Sequence, residues 1–126
     1  MRMPFCTAAL LAASTAVLAA PSADPWMGAR PSLQLAVSRA EAPDRYTVKA
    51  KVWDLRSGAV LSEPILVVEG GKPAVAEVGV LGTPGAMLVA FTVTVDASGR
   101  SAAYSSEVRD NGTVISAQRA TLAVEP

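Results

Sequence analysis

Every second residue from Met87 to Val95 is large and apolar: Met87, Val89, Phe91, Val93 and Val95, set against Leu88, Ala90, Thr92 and Thr94. A period of two is the signature of an extended strand, because successive side chains there point to opposite faces. The same period returns from Arg45 to Leu55, where Tyr46, Val48, Ala50 and Val52 alternate with Thr47, Lys49, Lys51 and Trp53. That pattern predicts a half-buried antiparallel strand with one wet face. Met87–Val95 is expected to be the central strand, with Phe91 at the middle of its core face.

The stretches between these runs carry turn composition. Pro43-Asp44, Arg56-Ser57-Gly58, Gly70-Gly71-Lys72-Pro73, Gly82-Thr83-Pro84-Gly85, Asp96-Ala97-Ser98-Gly99 and Asp110-Asn111-Gly112 break the chain at short intervals. The last is a dense reversal signal, since Asn and Gly accept the positive φ that tight hairpins require. Further strands are expected around Leu33–Ser38, Ala74–Val80, Arg100–Arg109 and Thr113–Glu125. Leu33, Ala36, Val37 and Ala40 also fit one helical face, and the strand is preferred because everything after it is strand-like. Val60 and Leu61 lead through Pro64 into Ile65–Val68, an apolar run of four that reads as a buried strand with the proline at its start. In Ala74–Val80 the register stays open: Val75 can share a face with Glu77 or, after a bulge, with Val78. The sum is an all-β chain of about seven strands, folded as a small antiparallel β-sandwich or as a curled meander.

Ahead of this lies a segment of different character. Arg2 precedes an apolar run from Phe5 to Ala20, which gives way to Pro21, Ser22 and Asp24. A basic start, a short apolar stretch and a small-residue end are the layout of a cleavable secretory signal peptide, expected over residues 1–20. The run is shorter than the roughly 20 residues needed to span a bilayer, and no cluster of Lys or Arg follows it. No integral membrane segment is therefore expected after cleavage. The domain division that follows is a signal peptide at 1–20, an extended N-terminal arm at 21–32 and an antiparallel β domain at 33–126. Cys6 is the one cysteine of the chain and would leave with the leader. A cysteine-free exported domain of roughly 105 residues must be held by its core alone.

Composition excludes several classes of chemistry. The chain has no histidine, and its 11 basic and 11 acidic side chains give a formal charge of zero. Without histidine there is no Ser/His/Asp triad and no histidine-ligated metal. Without a basic cluster there is no footprint of a nucleic-acid partner. Glu63, Glu69 and Glu77 are the acids nearest one another in sequence, but they sit at strand ends on alternating faces without aromatic sugar platforms, unlike a hydrolytic pair. Gly70-Gly71-Lys72 lacks the spacing and the following helix of a phosphate-binding loop and reads as a β-turn. Asp110-Asn111 is too short a turn for calcium. Asn111-Gly112-Thr113 matches the N-glycosylation pattern, although making a hairpin is its simpler role. No catalytic residue, metal ligand or cofactor site is expected, and the chain is read as not an enzyme.

What remains is binding. Trp53 interrupts a polar face that bears Lys49 and Lys51, and a large ring there either faces a partner or covers a second sheet. Lys49 and Lys51 themselves serve most simply as charges that discourage edge-to-edge aggregation. Trp26 is the other aromatic exception, in the N-terminal arm. These four residues, Trp53, Lys49, Lys51 and Trp26, are the candidates for partner contact.

One stretch carries a resemblance. Val60-Leu61-Ser62-Glu63-Pro64-Ile65-Leu66-Val67-Val68-Glu69-Gly70-Gly71-Lys72-Pro73-Ala74, continuing to Val78-Gly79, resembles a hairpin in the conserved region of bacterial secretins and in small exported bacterial domains of unknown role. In the secretins a leucine, serine, x, proline opening precedes a strand, a Gly-Lys turn, an alanine and a valine-glycine exit. The resemblance implies a β-hairpin in an envelope protein; the ring-forming gate of a secretin has no room here, and no channel is implied. The expected function is that of an exported, non-catalytic β domain, periplasmic or secreted, acting by protein binding or assembly on an envelope partner. The alternative is an accessory or inhibitory domain that docks on an envelope enzyme.

The leader supplies a first test. N-terminal sequencing of the exported protein should begin between Ala20 and Asp24, and Met1 retained on a membrane-bound species would refute the leader.

Overall fold

A computed structural model describes residues 24–126. The expected signal peptide at 1–20, with Cys6, lies outside the described residues. Eight strands follow in order: β1 (Pro31–Arg39), β2 (Arg45–Asp54), β3 (Val60–Ser62), β4 (Ile65–Glu69), β5 (Ala74–Gly79), β6 (Met87–Val95), β7 (Ser101–Asp110) and β8 (Thr113–Ala123). They form two antiparallel sheets. In the first, β2 is flanked by β1 on one side and by β3 and β4 on the other; the second is a meander in the order β5-β6-β7-β8. The domain is all-β and sandwich-like, with one core cluster drawing side chains from both sheets.

The alternating pattern dictates which faces meet. Tyr46, Val48, Ala50 and Val52 of β2 are buried, and so are Met87, Val89, Phe91, Val93 and Val95 of β6. Leu35 and Val37 of β1, Val68 of β4, and Ala102 and Tyr104 of β7 complete the same inner faces. β1 is a strand throughout, paired with β2 from Pro31 opposite Asp54 to Arg39 opposite Tyr46. The open register of β5 resolves without a bulge, since Ala76 lies opposite Phe91 and Val78 opposite Val89. Val75 and Glu77 therefore share the outer face. At the Asn-Gly turn Asp110 pairs with Thr113, and Asn111 and Gly112 take φ of 48° and 87°, the two positive values of a two-residue hairpin turn.

Three expectations are corrected. First, the run Ile65–Val68 is not buried on both faces. Leu66 and Val68 point to the core side, whereas Ile65 and Val67 are 62% and 67% exposed, because β4 is an edge strand whose outer face is covered by no element among the described residues. Second, Val60–Gly79 does not close as a hairpin. β4 pairs with β2 and β5 with β6, so the Gly70–Pro73 turn carries the chain from one sheet to the other. Gly71 anchors that passage by donating its N–H to the Val95 carbonyl at 2.7 Å. Third, the expected count of about seven strands becomes eight, because Val60–Ser62 ahead of Pro64 is a short strand of its own. The register continues from Ser62 opposite Val52 to Ile65 opposite Lys49, and the Ala50 N–H donates to the Pro64 carbonyl at 2.9 Å. The reciprocal bond cannot form, because proline has no N–H. The eighth strand arises from that one missing bond.

The N-terminal arm is no loose extension where it is described. Asp24 accepts the Trp26 N–H through Oδ1 at 2.9 Å, Met27 bridges to Ala86, and the Gly28 N–H reaches the Gly85 carbonyl at 2.7 Å. Trp26 thereby closes one end of the domain, in a second cluster with Ala29, Val52, Met87 and Val89.

Phe91, 1% exposed, sits in the row Ala76, Phe91, Ser106 across three strands. Small neighbours cannot collapse into the space of a lost ring, so Phe91→Ala should cost about 3 to 5 kcal/mol in denaturant unfolding. A loss below about 1 kcal/mol would contradict this packing.

Candidate functional site

With the even-numbered residues of β2 turned to the core, its odd-numbered ones form an outer surface. Across the first sheet the rows are Ser32, Trp53 and Val60, then Ala36, Lys49 and Ile65, then Ser38, Thr47 and Val67. Between them lies Lys51, opposite Gln34 and, by the unbroken register, opposite Glu63. The face thus holds two apolar pairs, Trp53 with Val60 and Ile65 with Val67, separated by the Lys51 row and bordered by Lys49. Val60 is 49% exposed and Trp53 half-buried, while both lysines are exposed. Trp53 belongs to neither core cluster, and the second sheet packs against the opposite face. Of the two readings of this ring, covering a second sheet is eliminated.

Three of the four candidate contact residues are therefore brought together on one face. The fourth is not: Trp26 is only 8% exposed, because its ring fills the end of the core, which leaves it little surface to offer. The residues missed by sequence reasoning are Ile65, Val67 and Val60. Their signal was present as apolar character at the Pro64 break, but an apolar run does not reveal whether its strand is central or at an edge.

Beside Trp53 the backbone is fixed by an ionic turn. Asp54, 3% exposed, accepts from the Arg30 N–H at 3.1 Å and the Arg56 N–H at 2.9 Å. The Arg56 guanidinium closes on the same carboxylate, with Nη2 at 2.7 Å from Oδ2. Hydrogen bonds from the Arg56 side chain, and then from these backbone donors, outweigh desolvation and hold the Asp54 carboxyl well below the usual carboxylate range. The turn carries β3, and so Val60, back to its place opposite Trp53.

The acids considered for catalysis are dispersed. Glu69 is tied to Lys72 at 3.4 Å and Arg45 at 3.7 Å, whereas Glu77, on the other sheet, meets Arg109 at 3.5 Å. Asp110 and Asn111 accept the Gly85 and Gly82 N–H groups at 2.8 and 3.1 Å, so both side chains are engaged in holding the β5–β6 loop. Among the described residues no group of three potential ligand side chains is placed to hold a metal, and no helix is long and apolar enough to cross a membrane. The outer face of the second sheet holds an open depression of about 470 Å³, lined in part by Glu77, Ala90, Thr92, Ser105, Glu107 and Arg119. No family model, curated protein sequence or solved structure matches the chain.

The ionic turn makes a pH prediction. Because the folded Asp54 carboxyl titrates below its unfolded value of about 3.9, its stabilisation is complete above about pH 4 and fades as pH falls through the lower folded value. Asp54→Asn should lower the melting temperature at neutral pH, and its deficit against the parent protein should shrink in strong acid. A deficit independent of pH would show that the ionised carboxylate is not what holds the turn.

Proposed function

We propose that the protein is an exported, non-catalytic β domain of the bacterial cell envelope, periplasmic or secreted, that works by binding or assembling with another protein through the outer face of its first sheet. The observation that carries this reading is the exposed apolar surface of Val60, Trp53, Ile65 and Val67 with Lys49 and Lys51 among it. An apolar stretch that sequence logic assigns to a core stands open to water, and a surface of that kind marks a place where something else packs. Two ammonium groups on the same face favour a partner that brings carboxylates to the rim, where charge sets orientation and encounter rate. The leader expected at 1–20 supports export. The non-catalytic reading is supported by the acids: Glu69 and Glu77 lie on different sheets, each in its own ion pairs.

Trp53 is the residue on which this turns, because large aromatics dominate binding energy at protein contacts. Trp53→Ala should cost about 1 kcal/mol of stability or less, while capture of the partner from envelope extract falls more than about tenfold. A variant that melts normally and captures the same proteins as the parent would defeat the proposal.

A further inference from the structure

A second surface lies on the other sheet. β8 is the longest strand among the described residues, 11 residues, and among them it borders its sheet with β7 alone as a ladder partner. Its backbone directions are fixed by two bonds at its end. The Val124 N–H donates to the Arg100 carbonyl just ahead of β7, and the Glu125 N–H donates outward, to the Val37 carbonyl of β1. Alternation then turns the N–H and C=O groups of Ala117, Arg119 and Thr121 outward as well. Residues 113–119 are exposed one after another.

The other edges are guarded. β1 starts at Pro31 and near its end is bonded through Val37 and Arg39 to Glu125. The β3–β4 edge is made of two short strands of three and five residues, and β5 follows Pro73 and has only six residues. Proline and short length are the usual means of closing an edge to another strand. From Thr113 to Ala123 there is no proline, and Arg119 is the single charge.

We infer that β8 pairs antiparallel with β8 of a second copy about a twofold axis at Gln118, joining the two meanders into one continuous sheet. In that register Ala117 and Arg119 of each copy exchange hydrogen bonds with Arg119 and Ala117 of the other, clear of the irregularity that shifts the ladder between Val108 and Arg109. Charge selects the same register. Within one copy Ala117 lies opposite Glu107, so the second copy's Arg119 reaches across a methyl group toward that carboxylate. Glu107 already receives Arg109 at 2.7 Å, and a carboxylate has acceptor capacity for a second guanidinium. An axis at Arg119 would instead set two guanidinium groups directly opposite each other, which is unfavourable. A twofold contact of this kind closes on itself. It is independent of the Trp53 surface, which belongs to the other sheet.

Sedimentation of the purified protein over the micromolar range, joined to cysteine substitution, tests it. The parent should show a reversible monomer–dimer equilibrium. Ala117→Pro removes an outward N–H that β7 does not use, so it should weaken the dimer by about tenfold or more with the melting temperature held. In a Cys6→Ser background, Gln118→Cys should form a disulfide-linked dimer on mild oxidation, because residues opposite each other in a non-hydrogen-bonded pair lie about 4.5 Å apart. Thr121→Cys should not, since its two copies would be roughly 20 Å apart along the strand. Should Ala117→Pro fail to fold, the two cysteine variants decide alone. A protein that stays monomeric, a dimer untouched by Ala117→Pro, or equal cross-linking at 118 and 121 overturns the inference. Trp53→Ala should leave sedimentation unchanged, and a dimer lost with Trp53 would overturn it too.

Discussion

Everything in this fold depends on the burial of one face of β2 against one face of β6. Val48 and Val52 contribute from the first sheet, and Val89, Phe91, Val93 and Val95 from the second, all at 1% exposure or less. The described residues contain no cysteine, so apolar burial must supply most of what offsets chain entropy in a domain of this size. The constraint propagates outward because a strand has a period of two. Once Val48, Ala50 and Val52 are committed to the core, Lys49, Lys51 and Trp53 have no freedom left and must occupy the outer face. A slip of one residue in β2 would bury both lysines, which is why the register is strongly specified. The outer face that carries Trp53 is in this sense a by-product of the core.

This dependence explains what was legible beforehand. Where one face of a strand is wholly apolar and the other mixed, as in β2 and β6, the sequence states both the strand and its orientation. It also states the Asn111-Gly112 reversal, because few residue pairs accept two positive φ values. What it does not state is which strand lies beside which. Ile65–Val68 and Ala74–Val80 look like the two arms of a hairpin around Gly70-Gly71, and nothing local shows that the arms belong to different layers. That outcome is set by long-range partners: β4 finds the Arg45–Lys49 end of β2, and β5 finds β6. The exposure of Ile65 and Val67 follows from the same blindness, since an edge position is a property of the assembled sheet. Trp26 was illegible for a related reason. Only the placement of Met27 beside Ala86 shows that the arm folds back over the end of the core.

Pro64 shows how one residue sets the character of a whole border. It occupies a position whose N–H would have pointed inward at the Ala50 carbonyl, so the ladder is interrupted in the middle of an edge that keeps its register from Ser62 to Glu69. The interruption leaves the β3–β4 border as two short pieces of three and five residues, which makes it a poor template for another strand. It leaves the side chains on the outer face untouched. Ile65 and Val67 directly follow the break and Val60 precedes it, so the apolar surface survives where the backbone edge is spoiled. A contact here must be made by side chains, which favours a protein surface with its own pockets over an extended segment adding to the sheet.

The second sheet reverses both properties. Its outer face is made largely of small or paired groups, Ala90, Thr92, Ser105 and Ala117 with Glu107 and Glu77 bound to Arg109, with the exposed Val75 at its β5 border. Its border along β8, by contrast, keeps a regular row of backbone groups from Ala117 to Thr121 with no proline to spoil it. The two sheets are thus complementary in what they leave unsatisfied, one a face and the other an edge. The turn at Gly70–Pro73 carries the chain between layers, and the Ala76, Val78, Phe91 and Val93 packing on the far side leaves β8 outermost. The proposed contacts through the first sheet and through β8 would therefore occupy different surfaces, and a single copy could engage both without either displacing the other.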